Sequence, residues 1–114
     1  MTDTYYITTS IPYVNAKPHM GFALEIVQTD ALARYHRLRG DDVWFLTGTD
    51  ENSLSNIQAA VKEGIPTKHL VDRNAPFFRA LREQLDLSFD DFIRTADEDR
   101  HLDGARTLWE ACDA

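Results

Sequence analysis

Ser10-Ile11-Pro12-Tyr13-Val14-Asn15-Ala16-Lys17-Pro18-His19-Met20-Gly21-Phe22 is the stretch whose reading decides the fold. Upstream, Tyr5-Tyr6-Ile7-Thr8-Thr9 is aromatic and β-branched and predicts a buried strand. Downstream, Met20, Leu24, Val27, Ala31, Tyr35 and Leu38 recur at three- and four-residue steps, the period of an amphipathic helix that buries this stripe. The prolines and Asn15 between them predict a stiff loop. A strand feeding a helix through such a loop presents the helix's first, unpaired N–H groups beyond the strand's carboxyl end. That arrangement suits a phosphate or carboxylate, and Lys17 and His19 stand at its mouth. The same residues also fit a plain turn with His19 exposed. The dinucleotide fingerprint G-x-G-x-x-G is absent, so nothing local supports a nicotinamide or flavin site.

Working outward, the helix should stop near Arg39-Gly40, with Gly40 as a left-handed cap. Val43-Trp44-Phe45-Leu46-Thr47 is apolar on both faces and suits a central parallel strand. Strand, helix and strand then make a βαβ unit, whose ligands gather beyond the carboxyl ends of the strands. Ser10-Ile11 and Gly48-Thr49-Asp50 should therefore reach one edge. Gly48-Thr49-Asp50-Glu51-Asn52-Ser53 leads into a helix through Leu54, Ile57 and Val61 that ends at Gly64. Its acids fit helix capping by Asp50 or Ser53 as well as a binding role. Thr67 reads as the next N-cap, and Leu70, Asn74, Phe78, Leu81 and Leu85 form one stripe that Pro76 should kink or split. A turn at Asp86–Phe89, a strand at Phe92–Arg94 and a helix from Asp97 to Ala114 complete the chain. On that last helix Leu102, Ala105, Leu108, Trp109 and Cys112 share a face, with Trp109 a core or domain contact and Cys112 a partly buried, inert thiol.

The 114 residues allow one small domain, and 43% hydrophobic with 27% charged residues is ordinary globular composition. No run approaches the roughly 18 apolar residues of a membrane span. The first residues lack the pattern of a secretory signal, and a lone cysteine excludes an internal disulfide or a thiolate metal site. These features point to the cytoplasm. A net charge of −7 argues against a nucleic-acid footprint, and Arg34, His36, Arg37 and Arg39 read as a solvated helix end.

The arrangement Pro12-Tyr13-x-Asn15-x-x-Pro18-His19-x-Gly21 resembles the first signature of class I aminoacyl-tRNA synthetases, His-Ile-Gly-His, in the form seen in methionyl-tRNA synthetases. His19-Met20-Gly21 match its first three places, and Phe22 stands where the second histidine would be. Gly48-Thr49-Asp50-Glu51 is similar to the family's Thr-Gly-Thr-Asp-Glu-His-Gly, with Asn52 and Ser53 replacing its histidine and last glycine. The likeness continues through Glu25–Tyr35, Asp72-Arg73-Asn74 and Asp91-Phe92-Ile93-Arg94-Thr95. It implies an α/β fold, the first half of a Rossmann-like catalytic domain with parallel strands and flanking helices, over residues 1–114. The connective insertion (often zinc-bearing), the second half and the anticodon-binding domain would lie outside this sequence.

By the same resemblance, His19 would be catalytic and, with Gly21 and Lys17, would bind ATP, which would carry magnesium as cofactor; no residue here is read as a metal ligand. Ile11 and Tyr13 would line a methionine pocket, and Asp50 would bind the methionine ammonium. Transfer to tRNA would belong to the full-length enzyme. No Lys-x-Ser-Lys sequence occurs here, so the family's lysine loop is missing. Two readings follow: a synthetase fragment or subunit that is inactive alone, or a stand-alone, non-catalytic relative that binds or regulates. Half a doubly wound sheet leaves apolar faces uncovered, so self-association or a partner chain is expected, with Trp109, Phe77 and Phe78 as candidate surface.

Overall fold

The computed structural model describes residues 2–96 and 99–113. Strand β1 (Thr4–Thr8) leads through the signature loop into helix α1 (Met20–Leu38), and strand β2 (Asp42–Thr49) follows. Helices α2 (Leu54–Glu63), α3 (Thr67–Arg79) and the single turn α4 (Leu81–Gln84) come next, then strand β3 (Asp91–Arg94) and helix α5 (Asp99–Asp113). The sheet order is β1-β2-β3 and both pairings are parallel, with Tyr5 opposite Val43 and Thr47 opposite Phe92. The expected βαβ unit is present. The limits expected for the last helix, Asp97 and Ala114, lie outside the described residues.

Helix boundaries follow local chemistry. Gly40 and Gly64 take positive φ (90° and 69°) just after α1 and α2, where a side chain would be strained. Ser53 caps α2, its Oγ accepting from the Asn56 N–H at 3.2 Å. Thr67 is not an N-cap: Pro66 holds that place, and no side chain caps α3. Pro66 supplies the extended backbone a cap needs without a hydroxyl to accept. Helix α3 runs through Pro76 and breaks at Ala80, where α4 begins.

The core lies on one face of the sheet. Phe45 and Phe92 meet Phe22 and Ile26 of α1, and Val71, Ala75 and Phe78 of α3. The opposite face is thinly covered by α5, none of whose described residues is buried. Trp109 is 75% exposed and Cys112 is also exposed, contrary to the contacts expected of them, because no described residue packs over that side of α5. Phe78, offered as surface, is instead a core residue at 3% exposure.

The stripe expected to bury α1 faces outward. Met20, Leu24, Val27, Ala31, Tyr35 and Leu38 are all exposed, and Phe22, Ile26, Thr29, Asp30 and Ala33 are buried. Two polar residues disguise the inner stripe, and both are satisfied. The Thr29 hydroxyl donates to the Glu25 carbonyl, and Asp30 accepts from the Ser88 N–H and hydroxyl at 2.6 Å each and from Arg34. Burial alone would raise the Asp30 pKa, but the Ser88 and Arg34 hydrogen bonds outweigh it and hold the carboxyl below the ordinary aspartate value.

Of the four basic residues read as a solvated helix end, Arg34 and Arg39 are exposed, but Arg34, His36 and Arg37 also make contacts beyond the helix. Arg37 reaches Ser88 and Asp90, and Arg34 donates to the Asp86 carbonyl. His36 stacks on Tyr5 at 3.4 Å and meets Asp41 at 2.6 Å. Arg34 and Arg37 thereby brace the turn before β3.

Candidate functional site at the carboxyl edge of the sheet

The two signature stretches meet at the carboxyl edge. Tyr13 and Asp50 form an isolated parallel bridge, and the Asp50 N–H donates to the Pro12 carbonyl at 2.9 Å. The signature loop is held at three points. The Glu25 carboxylate accepts from the Ser10 N–H (2.6 Å) and hydroxyl (2.9 Å), Asn74 Nδ2 donates to the Val14 carbonyl (2.7 Å), and Asp50 takes Pro12. Val14, fully buried, plugs the loop into the core.

His19 caps α1. Its Nδ1 accepts the Gly21 N–H at 3.0 Å, so in the neutral ring the proton sits on Nε2, a donor turned away from the helix. A Cβ on Gly21 would lie 2.8 Å from His19 Cε1, so the glycine makes room for that ring. Tyr13, Lys17 and His19 line a cleft of about 180 Å³ with Pro12, Asn15, Ala16, Phe22 and Phe78. Lys17 Nζ lies 4.5 Å above the Phe77 ring. Phe22 is 6% exposed and meets Phe78 edge-on at 5.6 Å, so it is part of the core beneath the cleft.

Asp50 adjoins this cleft through the bridge to Tyr13, and Ile11, 38% exposed, lies outside it. One Asp50 oxygen accepts the Asn52 N–H at 3.2 Å, and the Asp50 carbonyl accepts from the wholly buried Asn56 at 3.1 Å. The neighbouring Glu51 carboxylate, 0% exposed, receives Arg94 at 2.6 and 3.2 Å and the Thr49 hydroxyl at 3.1 Å. Arg94 also reaches Asp72 on α3 at 2.7 Å and, with Lys68, holds that carboxyl below its ordinary pKa. Asn74, Asn56, Glu25 and the Glu51–Arg94 pair were not singled out for a role in the sequence. Glu51 stands in the Gly48–Glu51 stretch, Asn74 in a helical stripe, and Glu25, Asp72–Asn74 and Asp91–Thr95 in the stretches of resemblance, but nothing in the sequence pairs them.

A parallel half-sheet with a helix-capping histidine and a strand-end carboxylate at one edge defines a class, and the family model described as "tRNA synthetases class I (M)" matches residues 5–114. The chain belongs to this family, the class I tRNA synthetases of the methionyl type. It is 51% identical over 109 residues to the methionine–tRNA ligase of Brucella suis biovar 1 (strain 1330), and 53% over 110 residues to that of Mycobacterium leprae (strain TN). Each alignment takes in 96% of this chain, and 21% and 20% of those proteins respectively. The structure of Mycobacterium tuberculosis methionyl-tRNA synthetase in complex with methionyl-adenylate superposes with a TM-score of 0.81 at 51% identity. That superposition covers 89% of this chain and 20% of the other. The chain thus spans about a fifth of the length of the relatives it matches. The fold is the N-terminal, Rossmann-like part of that enzyme class.

Proposed function

We propose that these residues form the methionine-binding and nucleotide-facing half of a methionyl-tRNA synthetase active site, within the first half of its catalytic domain. The observation that carries this reading is the Tyr13–Asp50 bridge, which sets both signature stretches side by side at one edge. Asp50 pairs with the substrate ammonium, and Ile11 and Tyr13 offer an apolar wall to its thioether. His19, through Nε2–H, and Lys17 approach the phosphates of ATP at the start of α1, and Gly21 keeps His19 in place. The ligand of the tuberculosis relative's structure, methionyl-adenylate, joins the same two halves. The cleft residues include no carboxylate to hold magnesium, so no step is assigned to that ion. Transfer to tRNA belongs to the larger enzyme that the relatives represent.

A carboxylate–ammonium contact contributes roughly 1.5–3 kcal/mol. Burying a thioether side chain adds about 1–2 kcal/mol. After the entropic cost of association, the dissociation constant for methionine should be no tighter than about millimolar. Calorimetry or ligand-observed NMR should find that affinity in the wild type and at least about tenfold weaker binding in Asp50→Ala. Equal binding by the two removes Asp50 from the site.

The outward stripe of α1, together with Tyr6, Trp44 and Trp109, supports association with a partner chain or a second copy. Sedimentation velocity should show mass above the 13.0 kDa monomer as concentration rises, and a persistent monomer without aggregation refutes self-association.

A further inference from the structure

Helix α3 lines the cleft of the proposed site through Phe78, and through other residues it holds both of the site's loops. Asn74 and Asp72 stand two residues apart, which on a helix turns their side chains toward different sides. Asn74, 3% exposed, fixes the signature loop through the Val14 carbonyl at 2.7 Å. Asp72 takes Arg94 at 2.7 Å, and Arg94 grips the buried Glu51 beside Asp50. The Glu51 N–H in turn donates to the Thr95 hydroxyl at 2.9 Å. Thus the end of β2 is pinned by β3 and α3 together.

We infer that α3 is a bracket: Asn74 and the Asp72–Arg94–Glu51 chain are positioning residues that set the spacing between the His19 loop and the Asp50 carboxylate. The inference rests on the proposed methionine and nucleotide site. Its physical basis is that a fully buried carboxylate and a buried amide are costly to leave unpaired, so each loop has one arrangement that satisfies them. The two prongs meet at one bond, the Asp50 N–H to the Pro12 carbonyl, which closes the gap between the loops.

That shared bond supplies the test. Amide hydrogen exchange by NMR is measured on the ligand-free chain and on Asn74→Leu and Glu51→Gln, with methionine affinity measured in parallel. Both variants should lose about tenfold protection at the Asp50 amide, while the amides of Val43–Thr47 keep theirs. Both should also bind methionine about tenfold more weakly. Unchanged protection at Asp50 in the folded variants overturns the bracket. So does a loss spread evenly over β2, which is what a merely structural role produces. Arg94→Lys and Asn74→Ser are read the same way if either first variant fails to fold. Absence of methionine binding by the wild type overturns the proposed function instead, and the exchange arm still decides the bracket.

Discussion

Replacing Gly48 with alanine is expected to cost the fold about 3 kcal/mol or more. A Cβ there would lie 2.2 Å from the Ile93 carbonyl oxygen, 2.5 Å from its Cγ2 and 3.0 Å from its carbonyl carbon. Two of those atoms are backbone of the paired strand, so no rotamer change relieves the contact. Either β3 moves away or the register of β2 and β3 is lost, and with it the approach of Arg94 to Glu51. Against a typical domain stability of about 5–15 kcal/mol, that is a large fraction. Gly40 is the contrast. It has open space around it and a φ of 90°, so alanine there costs only the strain of that backbone, about 1 kcal/mol. Urea denaturation of both variants checks this. Equal midpoints for Gly48→Ala and wild type would mean that β3 does not pair as described. The glycine that opens the second signature is thus required by the sheet, whatever else it serves.

The order of elements was legible in the sequence because each carried its own local signal. β-branched and aromatic runs marked β1 and β2, left-handed glycines marked two helix ends, and of the expected stripe Leu70, Asn74 and Phe78 on α3 and Leu81 on α4 point inward, whereas Leu85 is exposed. The juxtaposition of the two signatures was legible too, since parallel strands deliver their carboxyl ends to one edge. The facing of α1 was not. That helix is apolar on more than one side, and its buried stripe contains Thr29 and Asp30, which an apolar count rejects. The burial of Asp30 depends on Ser88 and Arg34, one of them 58 residues away, and no local pattern announces that pairing. The same holds for the supports of the site. Asn74 finds its partner 60 residues distant, and Arg94 finds Glu51 at a separation of 43. Long-range satisfaction of buried polar groups is a property of the fold, and a single sequence records the residues without their partners.

The isolated 114-residue chain is expected to show no methionine-dependent ATP–pyrophosphate exchange above background. In adenylation a carboxylate attacks the α-phosphate, and charge builds on the phosphoryl oxygens and the departing pyrophosphate. Positioned donors and cations must meet that charge. At the cleft the chain offers the Nε2–H of His19 and the ammonium of Lys17, which already lies over Phe77. Phe22 supplies no donor, and loss of one such donor lowers the rate by about 10²–10³. The family's lysine loop has no counterpart among these residues. Because Phe22 is packed against Phe78, restoring the signature histidine should not rescue the reaction. Phe22→His would place an imidazole in an apolar contact, and its first effect should be a loss of stability of about 1–3 kcal/mol. Exchange assays on wild type and Phe22→His, with thermal melts beside them, separate the possibilities. Robust exchange by the wild type would refute the expectation, and a gain of exchange on Phe22→His would show that position 22 reaches the phosphates after all.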